Sequence, residues 1–309
     1  MQYGLIGEKL GHSYSPEIHQ KIGDYLYELL ELSPEAVVPF LREKNFKAIN
    51  VTIPYKELVM PHLDEITERA EKIGAVNVIR NQNGHLLGDN TDFYGMTALL
   101  ERMGVEVKGK KALILGTGGT SKTALAVLES LGAREILRVS RSRERGDITY
   151  EEALRDHRSS DLLINTTPVG MYPKEVDIPI DVDAFHDLTC VIDAVYNPLR
   201  TELVLESLER DISASGGLYM LAAQAVKASA LFFEKESEES TVERVYRAVL
   251  REKETIILAG GSEIKRREAH KLFPNAVLSE KVVPHALLRN GRVFDLDQWD
   301  IEDIQRELS

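Results

Sequence analysis

The 309-residue sequence contains a single cysteine, no long hydrophobic run and no excess of positive charge. Because a disulfide needs two cysteines, Cys190 cannot form one within the chain. Its apolar surroundings in DLTCVIDAVY predict a buried core residue rather than a nucleophile. The net charge of −12 argues against nucleic acid as the main partner, since phosphate backbones bind basic surfaces. Small anionic ligands stay possible, because they need only a few local cations.

Segments typical of membrane insertion or secretion are also missing from the sequence. No apolar run approaches the roughly 20 residues that span a bilayer as a helix. The opening QYGLIGEKLGHS lacks the basic and long apolar regions of a signal peptide. A lone cysteine suits a reducing compartment. We therefore predict a cytoplasmic protein with no membrane partner and no bound metal.

The first third of the chain alternates short β-type runs with helical patterns. Strands are predicted over 3–7 and 48–53, and a helix is predicted to begin at Ser15–Pro16. The spacing of apolar residues predicts an amphipathic helix over 61–74. A hairpin is predicted to turn at Asn83–Gly84.

From residue 111 onward the pattern becomes β-α-β, which predicts a Rossmann-like parallel sheet covered by helices. A long apolar helix follows near residue 218, and a further helix is expected with Ser240 or Thr241 as its cap. The tail, 251–309, opens with the strand-like ETIILAGG and is otherwise expected to be polar and irregular apart from GRVFDLD. The predicted fold class is α/β with two lobes.

The segment GTGGTSKT, residues 116–123, follows the first strand of the β-α-β region and opens a helix. It nearly matches both the P-loop G-x-x-x-x-G-K-[ST] and the dinucleotide fingerprint G-x-G-x-x-G. In each motif Ser121 stands where a glycine is required, and we expect Ser121 to cap the helix instead. Both motifs hold an anion with backbone N–H groups at a helix start, so the segment alone leaves phosphoryl transfer and redox chemistry open.

The end of the next strand favours the dinucleotide interpretation. VSRSRER offers Arg141, Arg143 and Arg145, which suit the 2′-phosphate of NADP, although solvated surface arginines would need no such role. A P-loop would also require an aspartate on a neighbouring strand for Mg²⁺. Asp193 is the nearest candidate, but it lies within an apolar run. Lys122 is explained as an ordinary surface lysine.

Four polar clusters lie outside this region, in GHSYSP, NVTIPYK, GAVN and GDNTD. Lys56 could act as a general acid toward a carbonyl oxygen, with Asp92 orienting it. The hydroxyls of Ser13 and Ser15 could bind a carboxylate. Three further side chains could bind hydroxyl groups: Asn50, Thr52 and Asn77. Helix caps, turns and a solvated lysine are the ordinary alternatives for these residues.

Eight segments resemble, in order and spacing, those of shikimate dehydrogenases: GEKLGHSYSPEIH, NVTIPYK, IGAVN, GDNTD, GTGGTSK, NTTPVGM, DAVYNPLRT and GGLYMLAAQA. The resemblance covers residues 3 to about 250 and is strongest to clostridial-type members. It implies a substrate-binding lobe over 1–94 plus 217–250 and a Rossmann-like NADP-binding domain over 95–216. The implied activity is NADPH-dependent reduction of 3-dehydroshikimate to shikimate in aromatic amino acid biosynthesis. The implied assembly is a monomer or homodimer.

The resemblance also implies a role for each matching residue. Lys56 and Asp92 would be the catalytic pair. The substrate would be surrounded by Ser13, Ser15, Asn50, Thr52, Asn77, Tyr196 and Gln224. The cofactor would contact Gly116, Gly118, Gly119, Thr120, Ser140, Arg141, Arg143, Thr166, Val169, Met171, Gly217 and Met220. Two departures from the family pattern are chemically conservative: Thr120 stands where alanine or serine is common, and SRS (140–142) replaces the usual N-R-T.

Alternatives within and outside the enzyme class stay open. A quinate/shikimate or aminoshikimate oxidoreductase would use nearly the same site, and a non-catalytic shikimate-binding regulator would use its tail to contact a partner. Residues 251–309 contain fragments similar to shikimate kinases but no G-K-[ST], and they are too few for a kinase domain. We expect a catalytically inactive remnant, with an interaction segment or a packed extension as the alternatives.

Overall fold

The computed structural model describes residues 1–279, 283 and 285–308. Within these residues the chain forms three β-sheets, each flanked by helices. Among them, no helix is long and apolar enough to cross a membrane. The predicted α/β fold is confirmed.

The first sheet has the order β2-β1-β3-β5-β6-β4 and combines parallel strands with an antiparallel hairpin. Its strands are β1 (Tyr3–Gly7), β2 (Glu28–Glu31), β3 (Ala48–Val51), β4 (Glu65–Ile66), β5 (Val78–Gln82) and β6 (His85–Asp89). The helices of this region are α1 (Ser15–Ile22), α2 (Pro34–Glu43) and α3 (Glu68–Ile73). The predicted hairpin is confirmed: Asn83 and Gly84 have φ angles of 55° and 93°, which a tight two-residue turn requires.

The helix predicted over 61–74 is wrong in extent. Residues 60–62 form a 3₁₀ turn, β4 pairs with β6, and only α3 is α-helical. The Asp64 carboxylate accepts the Leu86 N–H at 2.7 Å, which holds the preceding residues against β6. The helix begins only after Thr67, whose hydroxyl accepts the Ala70 N–H and so caps it.

The second sheet is entirely parallel, with the order β12-β11-β10-β7-β8-β9. Its elements are α4 (Asp92–Arg102), β7 (Lys111–Leu115), α5 (Gly119–Ser130), β8 (Glu135–Ser140), β9 (Ile148–Thr149), α6 (Tyr150–Asp156), β10 (Leu162–Asn165), β11 (Cys190–Asp193), α7 (Glu202–Glu209) and β12 (Ser213–Ser215). The strand order reverses between β7 and β10, where α/β sheets form a ligand crevice at the strands' carboxyl ends. Cys190 is buried in β11, and burial raises the pKa of its thiol to about 12, as expected of a core residue.

Two helices, α8 (Leu218–Phe232) and α9 (Glu239–Lys253), return the chain to the first lobe. A Cβ on Gly95 in α4 would lie 2.5 Å from the Met220 carbonyl oxygen, so glycine allows α4 and α8 to pack closely. The predicted cap of α9 is wrong. Glu238 is the N-cap residue, and the Ser240 hydroxyl donates to the Glu238 carboxylate instead of accepting a backbone N–H. The predicted domain limit at residue 94 falls inside α4, and the domain limits stay a prediction.

The tail forms a small folded unit, which contradicts the expectation of an irregular segment. It contains β13 (Thr255–Ala259), α10 (Glu263–Leu272), β14 (Val277–Ser279), α11 (His285–Leu288), β15 (Gly291–Asp295) and α12 (Ile301–Leu308). The strands pair in parallel in the order β14-β13-β15 over a core that includes Leu258, Phe294 and Ile304. The two expected strands are confirmed as β13 and β15. We call residues 255–308 the C-terminal unit.

Buried His19 predicts a specific pH dependence of stability. Its ring stacks on Tyr27 at 3.7 Å between centroids, and Nδ1 lies 2.5 Å from the Tyr25 hydroxyl oxygen. Burial lowers the pKa of His19 from 6.5 to about 3. As the pH falls below 6.5, His19 is protonated in the unfolded chain but stays neutral in the folded protein, which favours unfolding. The contribution of His19 to the free energy of unfolding is therefore complete above pH 6.5 and is lost as the pH falls toward 3.

Replacing the titrating ring should flatten this dependence. Between about pH 7 and about pH 4, we expect the free energy of unfolding of His19→Gln to fall less than that of the wild type. Urea denaturation at each pH measures it. His186→Gln, which changes an exposed histidine, is the matched control and should follow the wild type. Parallel curves for wild type and His19→Gln would contradict the assignment.

Candidate active site

Lys56 and Asp92 form a buried ion pair where the two lobes meet. Lys56 lies within the turn after β3, and Asp92 is the first residue of α4. Their Nζ and Oδ2 atoms are 2.5 Å apart, and the side chains are only 11% and 9% exposed. A Cβ on Gly119 would lie 3.3 Å from Lys56 Cδ, so the glycine segment of the second lobe packs on the stem of the lysine. The pair predicted from sequence is therefore brought together, beside the predicted cofactor loop.

Neighbouring contacts fix the turn that carries Lys56. The Tyr55 side chain is fully buried and its hydroxyl donates to the Leu32 carbonyl at 2.5 Å. The Val76 N–H donates to the Lys56 carbonyl at 2.8 Å. Both contacts are long-range, which allows the short turn to hold the lysine in one direction.

A chain of buried amides and hydroxyls lies beside the ion pair. Asn50 Nδ2 donates to the Asn77 carbonyl at 3.2 Å, and the Thr91 N–H donates to Asn77 Oδ1 at 2.7 Å. The Thr91 hydroxyl donates to Gln224 Oε1 at 3.3 Å, which joins α8 to the chain. The Tyr27 hydroxyl donates to Asn50 Oδ1 at 2.8 Å. Three predicted residues thus meet, while Thr91 and Tyr27 were missed. Thr91 stands within GDNTD and was recognisable there, whereas Tyr27 has no local signal.

The GHSYSP segment meets the second lobe at Tyr196. The Ser13 hydroxyl donates to Ser15 Oγ at 3.1 Å, and the rings of Tyr14 and Tyr196 lie 5.1 Å apart. Burial raises the pKa of Tyr196, against the opposing effect of a hydrogen bond with Ser13. Tyr14 is the N-cap residue of α1 and Ser15 is its first helical residue, so Ser15 does not cap the helix. The Ser13 hydroxyl accepts the Ser15 N–H at 3.3 Å, so Ser13 does make a contact of the capping kind. The Ser13 hydroxyl therefore contacts Tyr196, and Ser15 is buried next to Ser13. Thr52, also predicted for this site, is half-buried, and its methyl group lies against Gly7.

The glycine segment forms a tight turn between β7 and α5. Gly116 has a φ of +103°, and Gly118 is the N-cap residue of α5. A Cβ on Gly118 would meet nothing within 4 Å, so the backbone at the helix start is open to a ligand. The prediction that Ser121 caps the helix is wrong: this fully buried residue lies in the first turn and donates to the Gly116 carbonyl at 2.7 Å. Thr120 lies beside it in the same turn. The turn fits an anionic group such as a pyrophosphate.

A P-loop would need a lysine for the phosphates and an aspartate for Mg²⁺, and neither Lys122 nor Asp193 is available for that role. Lys122 crosses to the other lobe, where Nζ lies 2.8 Å from Glu57 Oε2 and 3.4 Å from the Gly74 carbonyl oxygen. Lys122 is therefore a partly exposed lysine in an ion pair between the lobes, and the interpretation that it has no role in phosphate binding stays a prediction. Asp193 is fully buried and accepts hydrogen bonds from Asn165 and Thr201, and burial raises its pKa to about 7. A carboxyl group held in this way is not a magnesium ligand of an exposed site.

The two arginines predicted for the 2′-phosphate differ in availability. Arg143 makes a bidentate ion pair with Glu152, with Nη2 2.6 Å from Oε1, and this pair helps hold the pKa of Glu152 at about 2. Arg141 is exposed and has no ion-pair partner within the described part of the chain. Ser140 is buried at the end of β8, where its hydroxyl accepts the Ser142 N–H. Arg141 is thus the side chain free to bind a phosphate.

The remaining predicted cofactor residues line the crevice to different extents. The Thr166 hydroxyl donates to the Leu115 carbonyl at 2.6 Å, beside the glycine turn. Val169 is half-buried and Met171 is 44% exposed. Gly217 backs onto β11, since a Cβ there would lie 2.3 Å from the Ala194 carbonyl oxygen. Met220 is buried against Gly95, which sets its side chain back from the surface.

Comparison with known proteins agrees with this geometry. Residues 5–79 match the shikimate dehydrogenase substrate binding domain. A shikimate dehydrogenase (NADP(+)) of Clostridium perfringens is 38% identical over 261 residues, which are 79% of this chain and 96% of the relative. The crystal structure of shikimate dehydrogenase 1 from Peptoclostridium difficile has a TM-score of 0.75 at 33% identity, covering 81% of this chain and 98% of that one.

The chain belongs to the shikimate dehydrogenase family. A family member from Thermus thermophilus, solved in complex with NADP(H) and shikimate, has a TM-score of 0.72 at 29% identity and covers 80% of this chain and 99% of its own. The resemblance drawn from the eight segments is confirmed. These shikimate dehydrogenases are matched over nearly their whole length, while about a fifth of this chain has no counterpart in them. The C-terminal unit is of that size.

The two glycines of the shikimate dehydrogenase turn should respond differently to alanine. In Gly116→Ala the φ of +103° is strained, and the new Cβ would lie 2.9 Å from Thr166 Oγ1. We expect the free energy of unfolding to fall by about 1–3 kcal/mol. Gly118→Ala, at a φ of −81° with open space, is the matched control and should change it by less than about 0.5 kcal/mol. Urea denaturation compares them, and equal losses would contradict the geometry.

Proposed function

We propose that this protein is an NADP-dependent shikimate dehydrogenase, which interconverts 3-dehydroshikimate and shikimate in aromatic amino acid biosynthesis. The observation that carries the proposal is the buried Lys56–Asp92 pair, packed against the glycine turn of the second lobe. A proton donor and a cofactor loop are thereby side by side, as reduction of a ketone requires. The cytoplasmic location and the monomeric or homodimeric state stay predictions.

The substrate lobe supplies the groups that bind and protonate. Lys56 donates a proton to the oxygen of the ketone as it becomes an alcohol, and in reverse it receives that proton. Asp92 holds the ammonium in place and accepts a hydrogen bond from a ring hydroxyl. The two serines Ser13 and Ser15, with Tyr196, bind the carboxylate. The ring hydroxyls are bound by Asn50, Thr52, Asn77 and Gln224.

The second lobe supplies a site that fits NADP. The open helix start at Gly118 and Gly119 offers backbone N–H groups to a pyrophosphate, and Arg141 lies one strand further on for the 2′-phosphate. When bound, NADPH supplies the hydride. Thr166, Val169 and Met171 line the path toward Lys56, and Gly217 and Met220 form the far wall.

Removing either member of the ion pair should abolish most of the activity. Because the remaining charge is left buried without its partner, it should also lower the free energy of unfolding, so kcat is compared at a temperature at which each variant is shown to be folded. We expect Lys56→Met and Asp92→Asn to lower kcat by about 10²- to 10⁴-fold, because proton transfer loses its positioned donor. The forward reaction is measured as the loss of NADPH absorbance with 3-dehydroshikimate. The reverse reaction is measured as the gain of reduced-cofactor absorbance with shikimate or quinate and with NADP or NAD. Lys72→Met, which removes an exposed pair with Glu68, is the matched control. No turnover by the wild type in any combination would refute the proposal, and a preference for quinate would redirect it.

Arg141 should set the choice between NADPH and NADH. Because its guanidinium is free while Arg143 is held by Glu152, we expect Arg141→Ala to raise the KM for NADPH about tenfold and leave the KM for NADH unchanged. Arg143→Ala should have a smaller effect. Arg145→Ala, in the same exposed segment, is the control. Equal effects of all three substitutions would show that only the general charge of the segment matters.

A further inference from the structure

The C-terminal unit docks on one short segment of the second lobe, residues 197–202, which we call the docking segment. The Leu199 N–H donates to Asn290 Oδ1 at 2.8 Å. The guanidinium of Arg200 donates to the Gly291 carbonyl at 2.7 Å, and its backbone N–H donates to another carbonyl of the same turn at 2.9 Å. The contact is therefore made of directional hydrogen bonds, which fix the position of the unit on the enzyme.

The docking segment lies directly behind a loop, residues 166–177, which we call the cleft loop. The Tyr172 N–H donates to the Asn197 carbonyl at 2.9 Å. A Cβ on Gly170 would lie 3.3 Å from Thr201 Cβ, so the two stretches are in close contact. The docking segment and the cleft loop are thus joined by a hydrogen bond and by direct packing.

The cleft loop touches both halves of the candidate site. At its start, Thr166 Oγ1 lies 2.9 Å from the position that a Cβ on Gly116 would occupy, beside the glycine turn. Further along, the Tyr172 ring lies 4.9 Å from the ring of His12 in the substrate lobe. The cleft loop therefore connects the glycine turn of the second lobe with the substrate lobe.

One side chain of the C-terminal unit reaches the cleft loop directly. Arg289 Nη2 lies 2.5 Å from an oxygen of Glu202, at the start of α7, and its Nη1 lies 3.4 Å from Glu175 in the loop. The arginine side chain is 13% exposed and the two carboxylates 12% and 24%, so these charges are largely removed from water.

We propose that the C-terminal unit positions the cleft loop through Arg289, and that Arg289 and Glu175 are positioning residues for the cofactor end of the cleft. Without Arg289 the Glu175 carboxylate would be left partly buried and without the cation that pairs with it, and the loop would move to reach water. The kinetic part of this inference rests on the proposed function, whereas the position of the loop can be measured without turnover.

Amide hydrogen exchange of residues 170–177 in the full-length protein tests the structural part. We expect about fivefold faster exchange in Glu175→Gln and in Arg289→Gln, since each removes the ion pair that holds the loop. Glu175→Gln keeps the Arg289–Glu202 contact, so the C-terminal unit stays docked in that variant even if Arg289→Gln loosens it. Arg292→Gln, which removes a pair with Glu307 inside the unit, is the matched control and should exchange like the wild type. Unchanged exchange in both loop variants would overturn the proposal.

Kinetics test the functional part. In both variants we expect the KM for NADPH to rise about fivefold and the KM for 3-dehydroshikimate to change less than about twofold. The double variant should be no worse than Arg289→Gln alone, because the Glu175 contact is already lost in that variant. Arg289→Lys, which keeps the charge, should restore part of the loss. Faster exchange with wild-type KM values would overturn the functional part. A wild-type protein that turns over no substrate would refute the proposed function. The hydrogen-exchange result would then still decide whether Arg289 and Glu175 hold the cleft loop in place.

Discussion

The buried ion pair of Lys56 and Asp92 is the contact on which the rest of the structure depends. Each charge is almost removed from water, so neither is stable at that place without the other. Lys56 lies in a loop turn, and Asp92 lies at the start of α4, where a carboxylate is also stabilised by the helix dipole. The turn and the helix must therefore keep a fixed relation. The first sheet provides it, because β3, β5 and β6 are neighbours and lead into these two elements.

The second lobe closes on that pair from the other side. Gly119 packs on the lysine stem because it has no side chain, and Lys122 pairs with Glu57, the residue that follows Lys56. The close packing of α4 and α8 at Gly95 joins the lobes behind the cleft. A proton donor, an anion-binding turn and a substrate pocket are thus held within one rigid arrangement, which lowers the entropic cost of bringing two reactants together.

Much of this was readable from the sequence because the signals are local. The Asn83–Gly84 turn, the parallel second sheet and the glycine turn each follow from short patterns, and ordered motifs identified Lys56 and Asp92. The contacts that the sequence does not predict are made between residues far apart in the chain. Lys122 pairs with Glu57 of the other lobe, and the Tyr27 hydroxyl donates to Asn50, which the first sheet brings close. The sequence does not predict the folded tail, because α10 is polar and β14 is only three residues long. Its core forms only when the three strands pair.

The most direct test of the central claim is a crystal structure of the full-length protein with NADP⁺ and shikimate bound. The account predicts that the reacting hydroxyl of shikimate lies within hydrogen-bond distance, about 3 Å, of Lys56 Nζ, and that Asp92 stays paired with that lysine. It also predicts that the nicotinamide lies on the second-lobe side of shikimate, against the carbon that carries the reacting hydroxyl. Shikimate bound with its hydroxyl away from Lys56, or with the Lys56–Asp92 pair broken and neither residue on the substrate, would contradict the account.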